Sequence, residues 1–406
     1  MQAILGLLLI LVFSIFLGRQ YRRSWNVKVI ALLWIVALVM SWIFSKAVSG
    51  LSFFVKLNQL VNVLSDSTQK ATTFLFGYLA GGKAPFEVID PSSSMIIVFY
   101  VFPIIIFLSA LSSLLFHWGI IPFIVNGLTK LIKRVIPLSG PLTFGVILSL
   151  FLGTIETPLA IKNYLKKMTP HELLLLMSAT LSTIAGTVMV LYAQILGQVL
   201  PESLFHMVSA SLVSLPVVIA LCLTIAPLED LSDHELPHLS EFRRPSAILA
   251  YIEGTVEGLQ MVLSIVAILL SFMAGLHLID FILEALSLPS LATILGQGLK
   301  LIVWLLGVSW EESQYLGVVL AKKILINEFV AYIDLSALSK LSEKSKLIMT
   351  YAMCGFANLA SVGILIGGLQ RLLPDRIQEI VKISFKALLI GNLATWTTGA
   401  MIGLFS

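Results

Sequence analysis

The sequence predicts an all-α polytopic membrane protein, and three observations carry that prediction. Of the 406 residues, 58% are hydrophobic and only 12% charged, where a soluble domain carries roughly 25% charged residues. The apolar residues gather into long runs separated by short polar turns, the pattern of helices that cross a bilayer. Two of those runs are interrupted by glycine and polar residues, each a fixed distance after a lone glutamate. The net charge of +4 is small and scattered, which argues against nucleic acid as a partner. The six histidines are dispersed, with neither an H-E-x-x-H motif nor a Cys/His cluster, so the chain offers no metal centre and no cofactor site of that kind. Cys222 and Cys354 both sit in apolar runs and read as small core residues rather than a disulfide.

The elements follow in order. Residues 1–17 are apolar and precede Arg19, Arg22 and Arg23. A secretory signal carries its charges ahead of the apolar run. Here the order is reversed, so the run is read as a retained first helix, and the arginines draw the next loop to the cytoplasm, leaving the N-terminus outside. Residues 27–44 cross back. In 51–79, Leu57, Leu60, Val61 and Leu64 alternate with Asn58, Gln59, Asn62 and Asp66 at helical spacing. That amphipathic pattern fits a helix lying on the membrane interface, or equally a loop helix packed on its own protein. Residues 95–115 form a third span with Pro103 as a kink.

Residues 120–167 contain Lys130, Lys133, Arg134, Pro137, Pro141 and Pro158 and cannot be one crossing. The pieces 120–125 and 142–152 fall short of the ~20 residues a span needs. They read as a re-entrant hairpin about a basic turn, the second piece running into Gly153-Thr154-Ile155-Glu156-Thr157-Pro158. Residues 173–200 are a span interrupted at 182–187, and 207–226 the next. Residues 227–244 are a mixed-charge loop expected in the cytoplasm. Residues 259–282 are a full span, 291–307 and 318–332 are again short, 348–369 is broken at Gly355-Phe356-Ala357-Asn358, and 383–405 is the last. Lys162, Lys166, Lys167, Arg371 and Arg376 fit cytoplasmic loops. Lys340, Lys344 and Lys346 then fall outside, against the positive-inside tendency and partly offset by Asp334 and Glu343.

The two interrupted regions repeat one plan: short apolar pieces, a lone glutamate, a charged turn, a broken span. Thr183 follows Glu156 by 27 positions, and Gly355 follows Glu328 by 27. A carboxylate in hydrocarbon costs at least ~2.5 kcal/mol even on the lenient insertion scale. Asn327-Glu328 shows no compensating base nearby, so it is expected to face a cavity or a solute. One such glutamate could be a helix end in a loop; two at matching spacing point elsewhere. Interrupted helices at corresponding places of two halves mark the midplane binding site of a transporter built as an inverted repeat. The domain reading is residues 1–118 as an N-terminal scaffold and 119–406 as a transport core with halves 119–227 and 259–406.

The residues at these interruptions resemble the concentrative nucleoside transporter family. Asn327-Glu328-Phe329-Val330-Ala331-Tyr332 is a family signature verbatim, and Cys354-Gly355-Phe356-Ala357-Asn358-Leu359-Ala360-Ser361-Val362-Gly363 nearly so. Gly153, Glu156, Pro158 and Leu159, Thr183-Ile184-Ala185-Gly186, and Glu257-Gly258-Leu259 match more weakly. The resemblance covers essentially the whole chain. It implies eight spanning helices, two re-entrant hairpins and an interfacial helix, a homotrimer in the cell inner membrane, and symport of a nucleoside with a cation.

By that resemblance Glu328, Asn358 and Ser361 hold the ribose hydroxyls, with Phe356 beside the sugar. The chemistry is apt, since a carboxylate accepts strongly from hydroxyl donors and an amide both donates and accepts. The base side departs. The family's hairpin tip reads Gly-Gln-Thr-Glu-Ala-Pro-Leu; here Thr154 replaces the glutamine and Ile155 the threonine, beside Glu156, with Val188 and Leu259 as apolar contacts. The ion side departs too. Of the implied sodium ligands Ser149, Leu152, Thr183 and Ile184, Ser149 stands where sodium-coupled members have asparagine. A hydroxyl is a weaker oxygen ligand than an amide carbonyl, so the expectation favours a proton carried by Glu156, with sodium as the alternative. Two other readings compete: the same fold carrying a different solute, motivated by Thr154 and Ile155, and a membrane-embedded enzyme using Glu156 and Glu328 as an acid/base pair.

Overall fold

The computed structural model describes residues 1–47, 52–87, 96–136, 138–197, 199–227, 245–338 and 340–406. Among them every regular element is a helix. The chain opens with α1 (Gln2–Leu17), α2 (Val27–Ala47), α3 (Ser52–Phe76), α4 (Ile97–Tyr100) and α5 (Pro103–His117). A first set follows: α6 (Ile120–Lys133), α7 (Gly140–Leu148), α8 (Glu156–Ala160), α9 (Lys162–Leu165), α10 (Pro170–Ser182), α11 (Gly186–Leu196) and α12 (Ser203–Ile225). A long α13 (Ala247–Ala285) leads to the second set: α14 (Leu291–Leu305), α15 (Trp310–Leu325), α16 (Glu328–Ala337), α17 (Glu343–Met353), α18 (Leu359–Leu372) and α19 (Ile377–Phe405).

The two sets have the same plan. An amphipathic helix (α6; α14) precedes a hairpin (α7 to α9; α15 and α16), a broken span (α10 and α11; α17 and α18) and an unbroken span (α12; α19). The two sets also interleave: α10 and α17 each pack on both α12 and α19.

Six helical stretches are long and apolar enough to cross a bilayer among the described residues: Val27–Lys46, Ile97–His117, Pro170–Leu196, Ser203–Ile225, Ala247–Ala285 and Pro374–Phe405. The remaining two expected spans are α1, apolar but 16 residues long, and the broken pair α17–α18. Burial separates core from periphery. The most apolar windows of α10–α11 and α12 are 83% buried, that of α13 only 6%, so α13 presents its apolar surface outward.

The chain packs as two units, one of Met1–Ser49, Ile124–Pro237 and Phe272–Ser406, the other of Gly50–Phe123 and His238–Ser271. In the second unit α3 packs on α5. Val61 is buried and Asn62 and Asp66 are exposed, as the amphipathic pattern predicts; Leu57, Asn58 and Leu60 have side chains outside the described residues. Gly258 of α13 leaves no room for a side chain, since a Cβ there would lie 2.8 Å from Ile106 Cα. In the first unit, Gly399 and Gly403 lie four apart on α19, and a Cβ at Gly399 would come 2.8 Å from Ala352 Cβ of α17. Small residues at such spacing let membrane helices approach closely.

Three expectations are corrected. The first hairpin is not made of 120–125 and 142–152. Residues 120–133 form a separate amphipathic helix whose last turn carries Lys130 and Lys133, and the arms are α7 and the α8–α9 pair. The arms of the second hairpin are α15 and α16, and α15 begins at Trp310, eight residues earlier than its apolar run, because its first turn carries Glu311 and Glu312. Pro103 does not kink a continuous helix. Helix α4 ends at Tyr100 and the proline starts α5, where its missing N–H is no loss. The expected cytoplasmic loop, apart from Pro227, lies outside the described residues.

Each hairpin base is tied to the broken span after it by one carboxylate. In the first half Ser139, the N-cap of α7, donates to Glu172 Oε1 at 2.6 Å, while Glu172 Oε2 accepts from the Thr169 amide at 2.9 Å in a capping box at the start of α10. In the second half the acid sits on the hairpin: Glu312 of α15 accepts from the Ser342 amide at 2.6 Å and from the hydroxyl of Ser345 at 2.6 Å, at the start of α17. Glu172 is fully buried. Glu172→Ala strands buried donors and should lower stability by about 1–3 kcal/mol, whereas Glu312→Ala, in wetter surroundings, should cost less. Thermal melts of the purified variants check the order; a larger loss for Glu312→Ala contradicts it.

Candidate functional site

The site forms where the two broken spans meet. Helix α10 stops at Ser182 because Thr183 is extended (φ −123, ψ 165), and α11 restarts at Gly186. Helix α17 stops at Met353, and Asn358 caps α18 with its Oδ1 accepting the Ser361 amide at 2.7 Å. Between the two gaps the Phe356 amide donates to the Thr183 carbonyl at 3.3 Å. This closeness needs glycine at 355, where a Cβ would lie 2.7 Å from Thr395 Cγ2 and 2.9 Å from the Leu181 carbonyl oxygen. Backbone freed from helix at membrane depth is tolerated where protein or a cavity re-satisfies it.

Glu328 is the centre. Its residue is 3% exposed, at the start of α16, behind Asn327, whose Oδ1 caps the helix by accepting the Val330 amide at 3.1 Å. Tyr192 of α11 donates its hydroxyl to Glu328 Oε1 at 2.7 Å, and Asn358 donates Nδ2 to Oε2 at 2.7 Å. The Tyr192 ring packs beside Tyr332 and Phe329, with centroids 5.2 and 6.3 Å away. One carboxylate thus joins the hairpin tip to broken helices of both halves. The expectation of no compensating base is wrong. Lys323, on the preceding arm and five residues away, is fully buried. Lys322 and Lys323 are adjacent in sequence, and the helix sends them to different sides: Lys322 pairs with Asp334 at 2.6 Å while partly exposed.

The other predicted solute contacts are spread more widely. Ser361 is buried, Phe356 half-buried and Val188 buried. At the first hairpin tip Thr154 is buried, and the Glu156 carboxylate folds against Gly153, leaving no room for a Cβ. Ile155 lies against α18 at Gly368, where a Cβ would be 3.2 Å from Ile155 Cγ1. Gly368 is ten residues past Asn358, about 15 Å along a helix, so the structure does not bring the Ile155 side chain to the Glu328–Asn358 pair. Leu259 belongs to the other packing unit, on α13, and is 45% exposed.

The four predicted cation ligands gather in part. Thr183 Oγ1 lies 3.0 Å from the Ser149 carbonyl oxygen, 3.2 Å from Ser149 Oγ and 3.0 Å from the Ala179 carbonyl oxygen. Ser149 turns its own hydroxyl proton to the Val146 carbonyl at 2.8 Å, and Thr157 Oγ1 approaches the Leu152 carbonyl at 3.4 Å. Ile184 is fully buried. The Ser149, Leu152 and Thr183 groups in these bonds are neutral oxygens, fit for a hard monovalent cation but without the amide oxygen that asparagine would add.

Tyr192, Lys323 and Asn392 were not singled out from the sequence. Their signal was present: a phenol, an ammonium and an amide inside apolar helices, each needing a partner when buried.

A hairpin tip and two interrupted helices meeting at a buried carboxylate define a membrane transport protein. The family is shown by relatives. Residues 206–403 match the family model described as Na+ dependent nucleoside transporter C-terminus, and residues 98–199 match one described as Nucleoside recognition. The nucleoside permease NupC of Helicobacter pylori is 32% identical over 389 residues, covering 91% of each chain. The putative nucleoside permease NupX of Escherichia coli is 26% identical, covering 100% of this chain and 98% of that one. A solved inward-facing, substrate-bound state of the transporter CNTnw superposes with a TM-score of 0.90 at 26% identity, covering 100% of this chain and 97% of that one. The chain belongs to the concentrative nucleoside transporter family. Its relatives are transporters, so the enzyme reading is dropped.

Tyr192→Phe removes one of two side-chain donors that aim Glu328. Nucleoside affinity should fall about tenfold, the lower range for a hydrogen bond to a charged group, with the fold retained. Calorimetric titration with uridine and adenosine checks this; tighter binding by the variant would mean that Tyr192 competes with the solute.

Proposed function

We propose that this protein is a secondary transporter that moves nucleosides across the cell inner membrane together with a cation, with Glu328 as the principal acceptor for the ribose hydroxyls. The observation that carries the reading is the Glu328 carboxylate, buried and held by Tyr192 and Asn358 at 2.7 Å each. A neutral sugar bearing vicinal hydroxyls can donate to the remaining lone pairs of the carboxylate that Tyr192 and Asn358 hold in place, with Ser361 at the same helix start as Asn358. Asn358 already spends its carbonyl on capping α18 and its amino group on Glu328. It therefore acts on the sugar chiefly through the carboxylate it orients.

Thr154 and Ile155 give the base side little hydrogen-bonding direction, so selection among bases is broad, because a site without a directional partner discriminates weakly. For the coupling ion, the Ser149–Thr183 cluster supplies only hydroxyl and carbonyl oxygens, with both hydroxyls turned toward backbone carbonyls. Glu156 is the titratable group at the adjacent hairpin tip. These features support coupling to a proton carried by Glu156. The N-terminus lies outside the cytoplasm, by the Arg19–Arg22–Arg23 loop and the positive-inside rule, and the family resemblance supports a homotrimer.

Glu328→Gln should nearly abolish uridine and adenosine uptake into proteoliposomes, losing a charged acceptor worth roughly 1.5–3 kcal/mol per hydrogen bond; wild-type uptake by this variant removes the ribose assignment. Uptake should also follow an imposed inward proton gradient with sodium absent, and Glu156→Gln should lose that dependence. Strict dependence on a sodium gradient, indifferent to pH, would instead make Ser149 a competent ion ligand. Thr154→Gln with Ile155→Thr should sharpen preference among bases, read as a changed competition profile across purines and pyrimidines.

A further inference from the structure

Lys323 is a lysine with no solvent exposure, five residues before Glu328 on the arm leading to the hairpin tip. A buried ammonium is tolerated where fixed acceptors replace its water, and here they are specific. Lys323 Nζ donates to the Ala357 carbonyl at 2.9 Å and to Asn392 Oδ1 at 2.8 Å. Asn392 of α19 turns its own amino group to the same Ala357 carbonyl at 3.1 Å and to the Leu388 carbonyl at 3.1 Å. Two donors from two elements therefore hold one oxygen in the unwound stretch between α17 and α18. The next residue is Asn358, whose amide orients Glu328.

The repeat makes the placement more telling. Phe151 stands five residues before Glu156 as Lys323 does before Glu328. In the first half the corresponding joint is closed by neutral groups, the Gly186 amide donating to the Phe151 carbonyl at 3.3 Å and the Thr183 hydroxyl to the Ser149 carbonyl at 3.0 Å. At the matching joint of the second half a side-chain cation makes the link. Neutral hydrogen bonds close that joint in the first half, so the lysine of the second half does more than close it, and the residue next to the carbonyl it holds is Asn358, which donates to Glu328.

We infer that Lys323 is a positioning residue for nucleoside recognition: a tethered internal lysine that, with Asn392, locks the Ala357 carbonyl and thereby aims Asn358 at Glu328, the acceptor for the sugar. The inference rests on the assignment of Glu328 and Asn358 to the ribose. Lys323 does not touch the solute; it acts through Asn358 and Glu328.

The test is a double-mutant cycle on the full-length protein in lipid nanodiscs, measuring binding of uridine, 2′-deoxyuridine and 3′-deoxyuridine to wild type, Lys323→Met, Asn358→Ala and the double variant. Lys323→Met should weaken uridine binding about tenfold or more, the scale of one charged hydrogen bond. It should also shrink the preference for uridine over the deoxy compounds toward that of Asn358→Ala, and the double variant should bind within about threefold of Asn358→Ala, since groups acting in one chain are not additive. A merely structural lysine would lower affinity without changing the ribose-to-deoxyribose ratio, or would multiply with Asn358→Ala; either result overturns the inference. Should Lys323→Met fail to fold, Asn392→Leu, which removes the second acceptor while keeping the charge, must still shrink the ratio, and an unchanged ratio overturns the inference equally. If Asn358→Ala itself leaves uridine affinity and the ratio unchanged, the ribose assignment falls, and the inference falls with it.

Discussion

A carboxylate kept almost wholly from water is the constraint on which the rest of this structure depends. Desolvating an ion costs several kcal/mol even after relaxation, unless hydrogen bonds and an opposite charge replace its water. Glu328 takes hydrogen bonds from two distant helices. Tyr192 comes from the first broken span and Asn358 from the second; Asn327 caps the helix that carries the acid, and Lys323 is buried on the arm before it. No local segment could furnish that set. Having two broken helices follows from it, because an unwound stretch brings backbone groups and a capping asparagine to a depth where a continuous helix would show only side chains.

The repeat distributes this work unevenly. Both halves build a hairpin, tie its base to the next helix through one carboxylate, and interrupt that helix at the corresponding place. The ends then differ. The second half carries the acid, a buried lysine and two asparagine caps, and the lysine binds the carbonyl of its unwound backbone. The first half offers a cluster of neutral oxygens around Ser149 and Thr183 and a carboxyl, Glu156, folded over Gly153 at the tip. The two halves touch through the Phe356 amide on the Thr183 carbonyl.

The Ile155 side chain of the first hairpin tip stands apart from Glu328 and Asn358, seated on α18 against Gly368. An apolar branch at the tip finds an apolar seat on the neighbouring helix, whereas the glutamine and threonine of the family pattern would leave polar groups to satisfy there. The substitution thus alters what the tip packs against as well as what it could offer a base.

Much of this was legible in the amino-acid sequence. Composition and run lengths determined the membrane class, and the matched spacing of Glu156 to Thr183 and Glu328 to Gly355 determined the repeat, because a charge in hydrocarbon is costly and a polar break in an apolar run frees backbone that needs a partner. The family resemblance, rather than that cost, joined Asn358 to Glu328. Boundaries set by polar residues were not legible: Glu311 and Glu312 hid the first turn of α15, and the basic end of α6 passed for a hairpin turn. Only the tertiary structure decided which of two adjacent lysines goes inward, that Tyr192 reaches Glu328 across 136 positions of chain, and that Asn392 shares the Ala357 carbonyl with Lys323. Helical periodicity sets which direction a side chain points, but not what another helix will present to it. A buried polar group declares in sequence that it needs a partner, and the packing of distant helices alone names which one.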